Sequence, residues 1–358
     1  MYILGKISHE IYTPKNTLHL NLVTNLFYLF RFDLSIFFKT ILSLISFRRT
    51  NEIEENLYIN RIIKDYSVKY IFSGQASPVK KKWLKLNPKK LIFYPQAITL
   101  RGFKFRYNRD FNYKKYDIER KKKYSIYKIY PDKSIFLTND ESEKKYFKNY
   151  LTKKFIFQQI GYLRLKKNWI NEKKVLFNKF VKKKNKYIFV ILGKENYIGR
   201  KEIKNKFKNI LDIARKNRMN VIYKYHPRSI FDLSSIIKNY TDILIDESKN
   251  SVLYDAFRSE IVIVTSKTGS SMDCIKISKP VLDYYNVGNR IKSNIQNEFK
   301  INNKITTLYR YYKLVYPINN LFELEINIKK ILIDKKFRRQ IINNQKKNLN
   351  RYLLLNEK

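Results

Sequence analysis

The fold is decided by residues 220–290, and above all by two stretches within them. Residues 220–228 read NVIYKYHPR, and residues 260–271 read EIVIVTSKTGSS. In each stretch a run of β-branched and aromatic residues leads directly into a polar loop, which is typical of a strand followed by a turn. Because open α/β sheets hold ligands at the carboxyl ends of their parallel strands, both loops are expected at the functional edge of one sheet.

Strands and helices alternate throughout this half of the chain. Strands are predicted at residues 187–192, 220–225, 242–245, 260–265 and 281–285. An amphipathic helix is predicted between the first two, with a buried face of Ile203, Phe207, Ile210, Leu211 and Ala214. Further helices are expected from a cap at Ser248 or Asn250 to Arg258, and from Ser271 to Ser278. The short intervals favour a doubly wound parallel sheet.

The first half of the chain has the same alternation. Strands are predicted at residues 68–72, 91–94, 134–138 and 155–157, and helices at 33–47, 52–66 and 141–150, the last capped by Asn139 or Asp140. This pattern implies a second parallel sheet and an α/β fold class. The predicted domains are a Rossmann-like domain at 1–165, a helical connector at 166–186, a second Rossmann-like domain at 187–320 and helices at 321–358.

The composition excludes disorder, and it makes the charge hard to interpret. The 358 residues carry a net charge of +45, with 44% hydrophobic and 15% aromatic residues. Such a charge fits a nucleic acid or an anionic membrane partner. However, lysine is spread over almost every polar face together with Asn, Ile, Tyr and Phe, the residues that AT-rich codons encode. Much of the charge therefore reflects composition, and each local cluster must be judged by itself.

The chain is expected to be cytoplasmic. Its single cysteine, Cys274, excludes an internal disulfide, and no secretory signal pattern opens the sequence. Residues 18–47 are strongly apolar, but three charged residues interrupt them below the length of a membrane span. They are interpreted as core helices, with a helix lying on the inner face of the cytoplasmic membrane as the alternative.

The polar loops contain the candidate binding residues. His226 lies at a strand end before Pro227, with Lys224 and Arg228 beside it, and its ring could bind a phosphate or an acidic sugar group. Gly269 permits a turn, and Ser270 and Ser271 begin a helix whose amides and hydroxyls suit an anion. Simple alternatives are a histidine that satisfies loop carbonyls and serines that only cap their helix. Asp283, at a later strand end, is a candidate contact for a ribose or sugar hydroxyl.

Several common chemistries lack their usual motifs. There is no P-loop, no GxGxxG fingerprint, no GxSxG elbow, no HExxH helix and no Cys/His cluster with zinc spacing. Nucleotide hydrolysis and hydride transfer are therefore disfavoured. No metal site and no cofactor are predicted.

These loops, with their neighbours, resemble the nucleotide-binding domain of GT-B glycosyltransferases. The resemblance covers about residues 187–290, through Tyr223–Pro227, Asp246–Ser248, Phe257–Glu260, Thr268–Asp273 and Lys279–Val281. It is strongest to bacterial surface and capsular polysaccharide enzymes, including polysialyltransferases, Kdo transferases and CDP-glycerol glycerophosphotransferases. It implies two Rossmann-like domains facing a cleft, the first for the acceptor and the second for the nucleotide-sugar donor. His226, Ser270 and Ser271 would then bind the donor nucleotide and its phosphates, helped by Lys224, Arg228 and Gly269.

The resemblance leaves the catalytic base unassigned. The acidic pair plus glycine that polysialyltransferases carry in the first domain is not evident, so Asp140, Glu141 or a residue near Gln96 are the candidates. The predicted function is metal-independent transfer of a sugar from a nucleotide-activated donor to a glycan or lipid-linked acceptor. A CDP-polyol phosphotransferase, a nucleotide-sugar epimerase of the same fold and a nucleic-acid-binding protein are the alternatives. A nucleic-acid partner would not explain the two anion-suited loops.

Overall fold

The computed structural model divides into two units. It describes residues 2–4, 17–19, 59–60, 70–75, 78, 81–86, 90–95, 113–151, 155–162, 165–178, 186–193, 199–226, 232–266, 268–287, 298–301 and 304–353. Within these, the residues up to Ile160 form one unit and those from Gly161 onward form the second. The predicted helix at 33–47, most of the helix at 52–66, and the candidates Gln96 and Arg228 lie outside the described residues.

A six-stranded parallel sheet forms the first unit. Its strands are β1 (Tyr2–Leu4), β2 (Thr17–His19), β3 (Tyr70–Gly74), β4 (Lys90–Tyr94), β5 (Ile135–Thr138) and β6 (Ile156–Gln159), in the order β2-β1-β3-β4-β5-β6. The four predicted strands correspond to β3 to β6. The prediction omitted β1 and β2 because a three-residue strand carries no readable periodicity.

Aromatic side chains fill the core of this unit. Its described residues include the helices α1 (Tyr113–Tyr124) and α2 (Glu141–Tyr150), with 3-10 turns at Lys81–Leu86 and Ser125–Ile129. The ring centroid of Phe93 lies 5.0 Å from that of Tyr127, and the centroid of Phe136 lies 4.6 Å from that of Phe147. All four side chains are buried. These rings therefore serve packing, rather than the base stacking that a nucleic-acid reader would require.

The second unit also contains a six-stranded parallel sheet, with a separate hairpin. Its strands are β7 (Tyr187–Ile191), β8 (Asn220–Lys224), β9 (Ile245–Glu247), β10 (Ser259–Val264), β11 (Val281–Tyr284), the antiparallel pair β12 (Glu298–Ile301) and β13 (Lys304–Thr307), and β14 (Tyr316–Ile318). The sheet order is β14-β11-β10-β7-β8-β9. The strand predicted at 242–245 is present but begins later, as β9 from Ile245, because Asp242 pairs with Arg215 at 2.9 Å and Leu244 N donates to Asn220 Oδ1. Leu244 O already accepts from Val221 N at 2.9 Å, and the pairing with β8 continues to Glu247.

Eight helices of the second unit lie within the described residues. They are α3 (Lys167–Asn178), α4 (Arg200–Lys216), α5 (Ser234–Ile237), α6 (Val252–Arg258), α7 (Ser270–Lys276), α8 (Leu308–Tyr311), α9 (Leu321–Ile333) and α10 (Lys335–Leu353). The predicted cap of α6 is wrong, because Ser251 Oγ accepts from Tyr254 N at 3.3 Å, whereas Ser248 and Asn250 lie further upstream. Within the described part of the chain, no helix is long and apolar enough to cross a bilayer.

Helix α4 confirms the predicted amphipathic pattern. The five residues of the predicted stripe, Ile203, Phe207, Ile210, Leu211 and Ala214, all have an exposed fraction of 0%. The ring of Phe207 lies 5.1 Å from that of Tyr223 on β8. Helix α4 is thereby held against the strand that leads to His226.

Candidate functional site

The candidate site lies where the strand order of the second sheet reverses. Strands β7 and β10 are neighbours, although β8 and β9 come between them in the chain. The connections from β7 and β10 therefore leave in opposite directions, and this opens a crevice at their carboxyl ends, where doubly wound folds bind ligands. Gly193 N, just after β7, donates to Thr265 Oγ1, just after β10, at 2.8 Å. This bond joins the two sides of the crevice.

His226 follows β8, the strand that pairs with β7 on the side away from β10. Leu192 N donates to Lys224 O at 2.9 Å, so the ends of β7 and β8 are aligned, and the His226 side chain is half-buried. With β7 between them, the ends of β8 and β10 lie about 10 Å apart. The His226 loop and the Thr268–Ser271 loop therefore lie at the same edge of the sheet, as the sequence predicted.

The Lys224 side chain turns toward the loop before α6. Its amine donates to the carbonyl of Asn250. Ser248 also joins this loop to β8, since its backbone N donates to Tyr223 O at 2.7 Å and its hydroxyl donates to the buried Asp255. Burial raises the pKa of Asp255 above its ordinary value, and the Ser248 hydroxyl opposes that shift. Lys224 thus joins the end of β8 to the loop before α6. The predicted contact of Lys224 with a phosphate stays a prediction.

The start of α7 differs in geometry from the prediction. Gly269 has φ −61°, which any residue adopts, so a turn does not require glycine there. Ser270 N donates to Thr268 Oγ1 at 3.3 Å, and Ser271 N donates to Thr268 O at 3.2 Å. The amides that were expected to be free for an anion are therefore engaged by Thr268, a residue that sequence reasoning did not single out.

The two serine hydroxyls do not share one environment. Ser270 is half-buried, whereas Ser271 is fully buried and its Oγ has no hydrogen-bond partner among the described residues. Consecutive helical residues point about 100° apart, so two hydroxyls aimed at one ligand were not to be expected from a helix. Ser270 is the better placed of the two to meet a ligand in solution.

Asp283 belongs to a buried ion pair. Its Oδ2 accepts from Arg310 Nε at 2.7 Å, and the two side chains are 5% and 7% exposed. Burial raises the pKa of Asp283, and the guanidinium opposes the shift. Arg310 also donates to the carbonyls of Asp283, Tyr285 and Ile318 and to Asn319 Oδ1. This guanidinium joins the carboxyl ends of β11 and β14, and the predicted sugar contact of Asp283 stays a prediction.

A buried lysine lies beside this pair. Lys206 Nζ, on α4, donates to Asn286 Oδ1 at 3.1 Å, lies 4.0 Å from the ring centroid of Tyr284 and is 3.7 Å from Glu202 Oε1. Burial lowers the pKa of Lys206 from 10.5 to about 8, although Glu202 and Asp283 raise it and Arg310 adds to the lowering. Lys206 and Asn286 are 80 residues apart in the chain, so their contact was not predictable from spacing.

The low pKa of Lys206 predicts a pH dependence of stability. Between pH 8 and 10.5 the unfolded chain holds more protons at this site than the folded one, so stability rises with pH, by about 1 kcal/mol per unit. Lys206→Met is expected to remove this rise, as measured by urea unfolding near pH 8 and pH 10. The exposed Lys201→Met on the same helix should retain it. An unchanged pH dependence in Lys206→Met would contradict the prediction.

In the first unit, the two described base candidates occupy the start of α2. Asp140 caps this helix, because its Oδ1 accepts from Glu143 N at 2.7 Å, and Glu141 is exposed and pairs with Lys144 at 3.3 Å. Glu143, which sequence reasoning missed, is 1% exposed and accepts from Asn139 N at 2.7 Å. Among the described residues, no three His, Cys, Asp or Glu side chains form a group that could hold a metal ion.

No protein-family model matches the chain, and no curated protein matches its sequence. Two structures of the wall teichoic acid polymerase TagF align with it at a TM-score of 0.50. The one with CDPG is 11% identical and covers 85% of this chain and 70% of that chain; the other is 12% identical and covers 86% and 72%.

A third similar structure, S. aureus MnaA with UDP, is 12% identical over 82% of this chain and 76% of that chain, at a TM-score of 0.48. At these identities, the likeness to the two polymerase structures shows the fold alone. The narrower resemblance to polysialyltransferases and Kdo transferases stays a prediction. The chain has the GT-B fold, with two Rossmann-like α/β units.

Proposed function

We propose that the protein is a glycosyltransferase that moves a sugar from a nucleotide-activated donor to a surface glycan or a lipid-linked acceptor. The observation that carries the proposal is the crevice between β7 and β10, with the His226 loop and the Thr268–Ser271 loop on either side of β7. The ligand expected there is the diphosphate group of a nucleotide sugar. The proposal assigns it to the His226 side chain and to the polar groups around Ser270.

In the proposed reaction, the acceptor hydroxyl oxygen attacks the anomeric carbon of the donor sugar. The bond from that carbon to the diphosphate oxygen breaks, and the nucleotide leaves with the electron pair. The His226 ring N–H and the Ser270 hydroxyl donate to phosphate oxygens and stabilise the charge that develops there. With these donors, the proposed reaction proceeds without a metal ion. A carboxylate acts as the base that takes the acceptor proton.

A second candidate is transfer of a polyol phosphate from a CDP-activated donor. It is supported by the TagF structure that was soaked with CDPG, because this polymerase has the same fold. In this reaction the acceptor oxygen attacks the β-phosphorus instead of a sugar carbon, and CMP leaves. The same two loops would bind the donor, so the nature of the transferred group distinguishes the candidates.

A donor screen tests both candidates. CMP-, CDP-, UDP- and GDP-activated donors are incubated with the wild type and with His226→Ala, in EDTA, and nucleotide release is measured. Because a hydrogen bond to a charged group contributes about 1.5–3 kcal/mol, His226→Ala is expected to slow release by about 10- to 100-fold. His226→Asn, which keeps a donor group, should lose less.

Full activity of His226→Ala would remove this residue from the site. An epimerised nucleotide sugar released without any acceptor would instead indicate the epimerase alternative. Binding of single-stranded DNA that falls steeply with salt, with no turnover of any donor, would support the nucleic-acid alternative and contradict the proposal.

A further inference from the structure

A basic groove lies between α4 and α5 in the second unit. Its volume is about 500 Å³, and it is lined by Arg200, Lys201, Lys204, Asn205, Lys208 and Ile236. This volume is within the range of small-ligand sites, roughly 300–1,000 Å³. Four of the six lining residues are cations and none is acidic, so the groove suits an anion.

The cations form a row along one helix face. Arg200, Lys204 and Lys208 are four residues apart, and a helix rises 1.5 Å per residue, so neighbouring cations are about 6 Å apart along the axis. Like charges at this spacing repel one another, and a bound anion would relieve the repulsion. The row runs along the border of the buried apolar stripe of α4, where Arg200 and Lys208 are exposed and Lys204 is half-buried.

Carboxylates near α4 are largely engaged elsewhere. Ion pairs of α4 join Lys206 to Glu202, Arg215 to Asp242 and Lys216 to Glu325. Asp232 is the acid that interacts with Lys204, but its carboxylate accepts from Ser234 N at 2.8 Å, and this bonding to Ser234 is the larger cause of its lowered pKa. None of these four carboxylates is among the described residues that line the groove, so the described lining is basic.

The groove starts at the edge of the sheet where the candidate site lies. Helix α4 follows β7, so Arg200 at its first turn lies toward the carboxyl ends of the strands. Lys204 and Lys208 are one and two turns further along the helix, away from that edge. A chain bound along the row would therefore have one end near the edge that carries His226.

The lining favours a flexible anionic polymer over a single-stranded nucleic acid or an anionic membrane surface. Among the described residues, no aromatic side chain lines the groove, whereas proteins that bind single-stranded nucleic acids stack bases on aromatic rings. A bilayer surface requires an exposed apolar face as well as cations, and of the described residues that line the groove only Ile236 is apolar. A linear chain that carries one phosphate or carboxylate per repeat needs only spaced cations and room for its backbone.

We propose that this groove binds an acidic polymer, as the acceptor or the growing product of the transferase. This inference rests on the proposed function for the identity of the polymer, while the binding itself can be measured without any donor. The polymer would carry a phosphate or a carboxylate in each repeat, and Arg200, Lys204 and Lys208 would contact successive anionic groups.

Charge reversal in the groove tests the proposal. Binding of inorganic polyphosphate, polysialic acid, oligothymidylate and phosphatidylglycerol vesicles is measured at low salt for the full chain. Lys204→Glu with Lys208→Glu is expected to weaken binding of polyphosphate or polysialic acid by about tenfold or more. The matched control is Lys335→Glu with Lys336→Glu, which changes the net charge equally at two exposed lysines of α10 and should weaken binding less than about threefold.

Several results would overturn the proposal. If the groove variant and the control variant lose polymer affinity equally, the overall charge of the protein, and not the groove, binds the polymer. Tighter groove-dependent binding of oligothymidylate would indicate nucleic acid, and a loss confined to the vesicles would indicate a membrane. Lys204→Gln with Lys208→Gln repeats the test without added acids, should the reversed pair fold poorly. If the groove binds the polymer but no donor releases its nucleotide, the proposed transferase function is contradicted, while polymer binding by the groove is supported.

Discussion

Arg310→Met is expected to lower the free energy of unfolding by about 3–5 kcal/mol. The substitution leaves the Asp283 carboxylate buried without its cation, and it also leaves three carbonyl groups at the ends of β11 and β14 without their shared donor. An uncompensated buried charge costs more than the ion pair contributes, because the desolvation of the carboxylate is no longer offset. Urea unfolding of the single variant against the wild type measures the loss.

The double variant Arg310→Met with Asp283→Leu is the control for this prediction. Because an apolar pair removes both buried charges, it should recover a substantial part of the loss, and with Asp283→Leu alone as the fourth protein the cycle gives the coupling energy between the two residues. A single variant within about 1 kcal/mol of the wild type would show that the pair does not hold these strands together.

Phe207→Ala is expected to cost about 3–5 kcal/mol of stability. The side chain has an exposed fraction of 0%, and its ring packs against Tyr223 on β8. The truncation removes apolar burial and leaves a cavity between α4 and the sheet. Phe207→Leu, which keeps most of the volume, should cost less than about 1.5 kcal/mol. The urea midpoints of the two variants check the ranking, and equal losses would contradict the cavity argument.

The Phe207 substitution also bears on function. Tyr223 is three residues before His226, and its hydroxyl lies 3.4 Å from Glu247 at the end of β9. A loosened contact between α4 and β8 should therefore shift the His226 loop. In a donor assay below the melting temperature, Phe207→Ala is expected to lose more activity than Phe207→Leu.

Strand positions were predictable where apolar runs were long. Strands β7, β8, β10 and β11 match their predictions to within about one residue, because buried parallel strands read as continuous hydrophobic runs. The helix stripe of α4 was predictable for a similar reason, since its period shows which face is buried. Strand β14 was missed because it has three residues and includes Pro317, which belongs at a sheet edge.

The site could be predicted only in part. The His-Pro and Gly-Ser-Ser patterns located two loops at one edge of a sheet, and the observed strand order places both loops there. The role of Thr268 was missed, because a side chain that accepts from an amide two residues later has no distinctive spacing. The pairing of Arg310 with Asp283 joins residues 27 apart, and no local pattern indicates it.

Local patterns in the sequence determine which segments form strands and helices, since hydrophobic periodicity and turn residues act over a few residues. They also determine that His226 and Ser270 follow strands. The tertiary structure alone decides which strands are neighbours, and therefore that β7 and β10 meet at the reversal of strand order. It also decides that Lys206 is buried beside Asn286, and that the lysines of α4 line a groove. These outcomes depend on packing between segments that are distant in the chain, where no local preference acts.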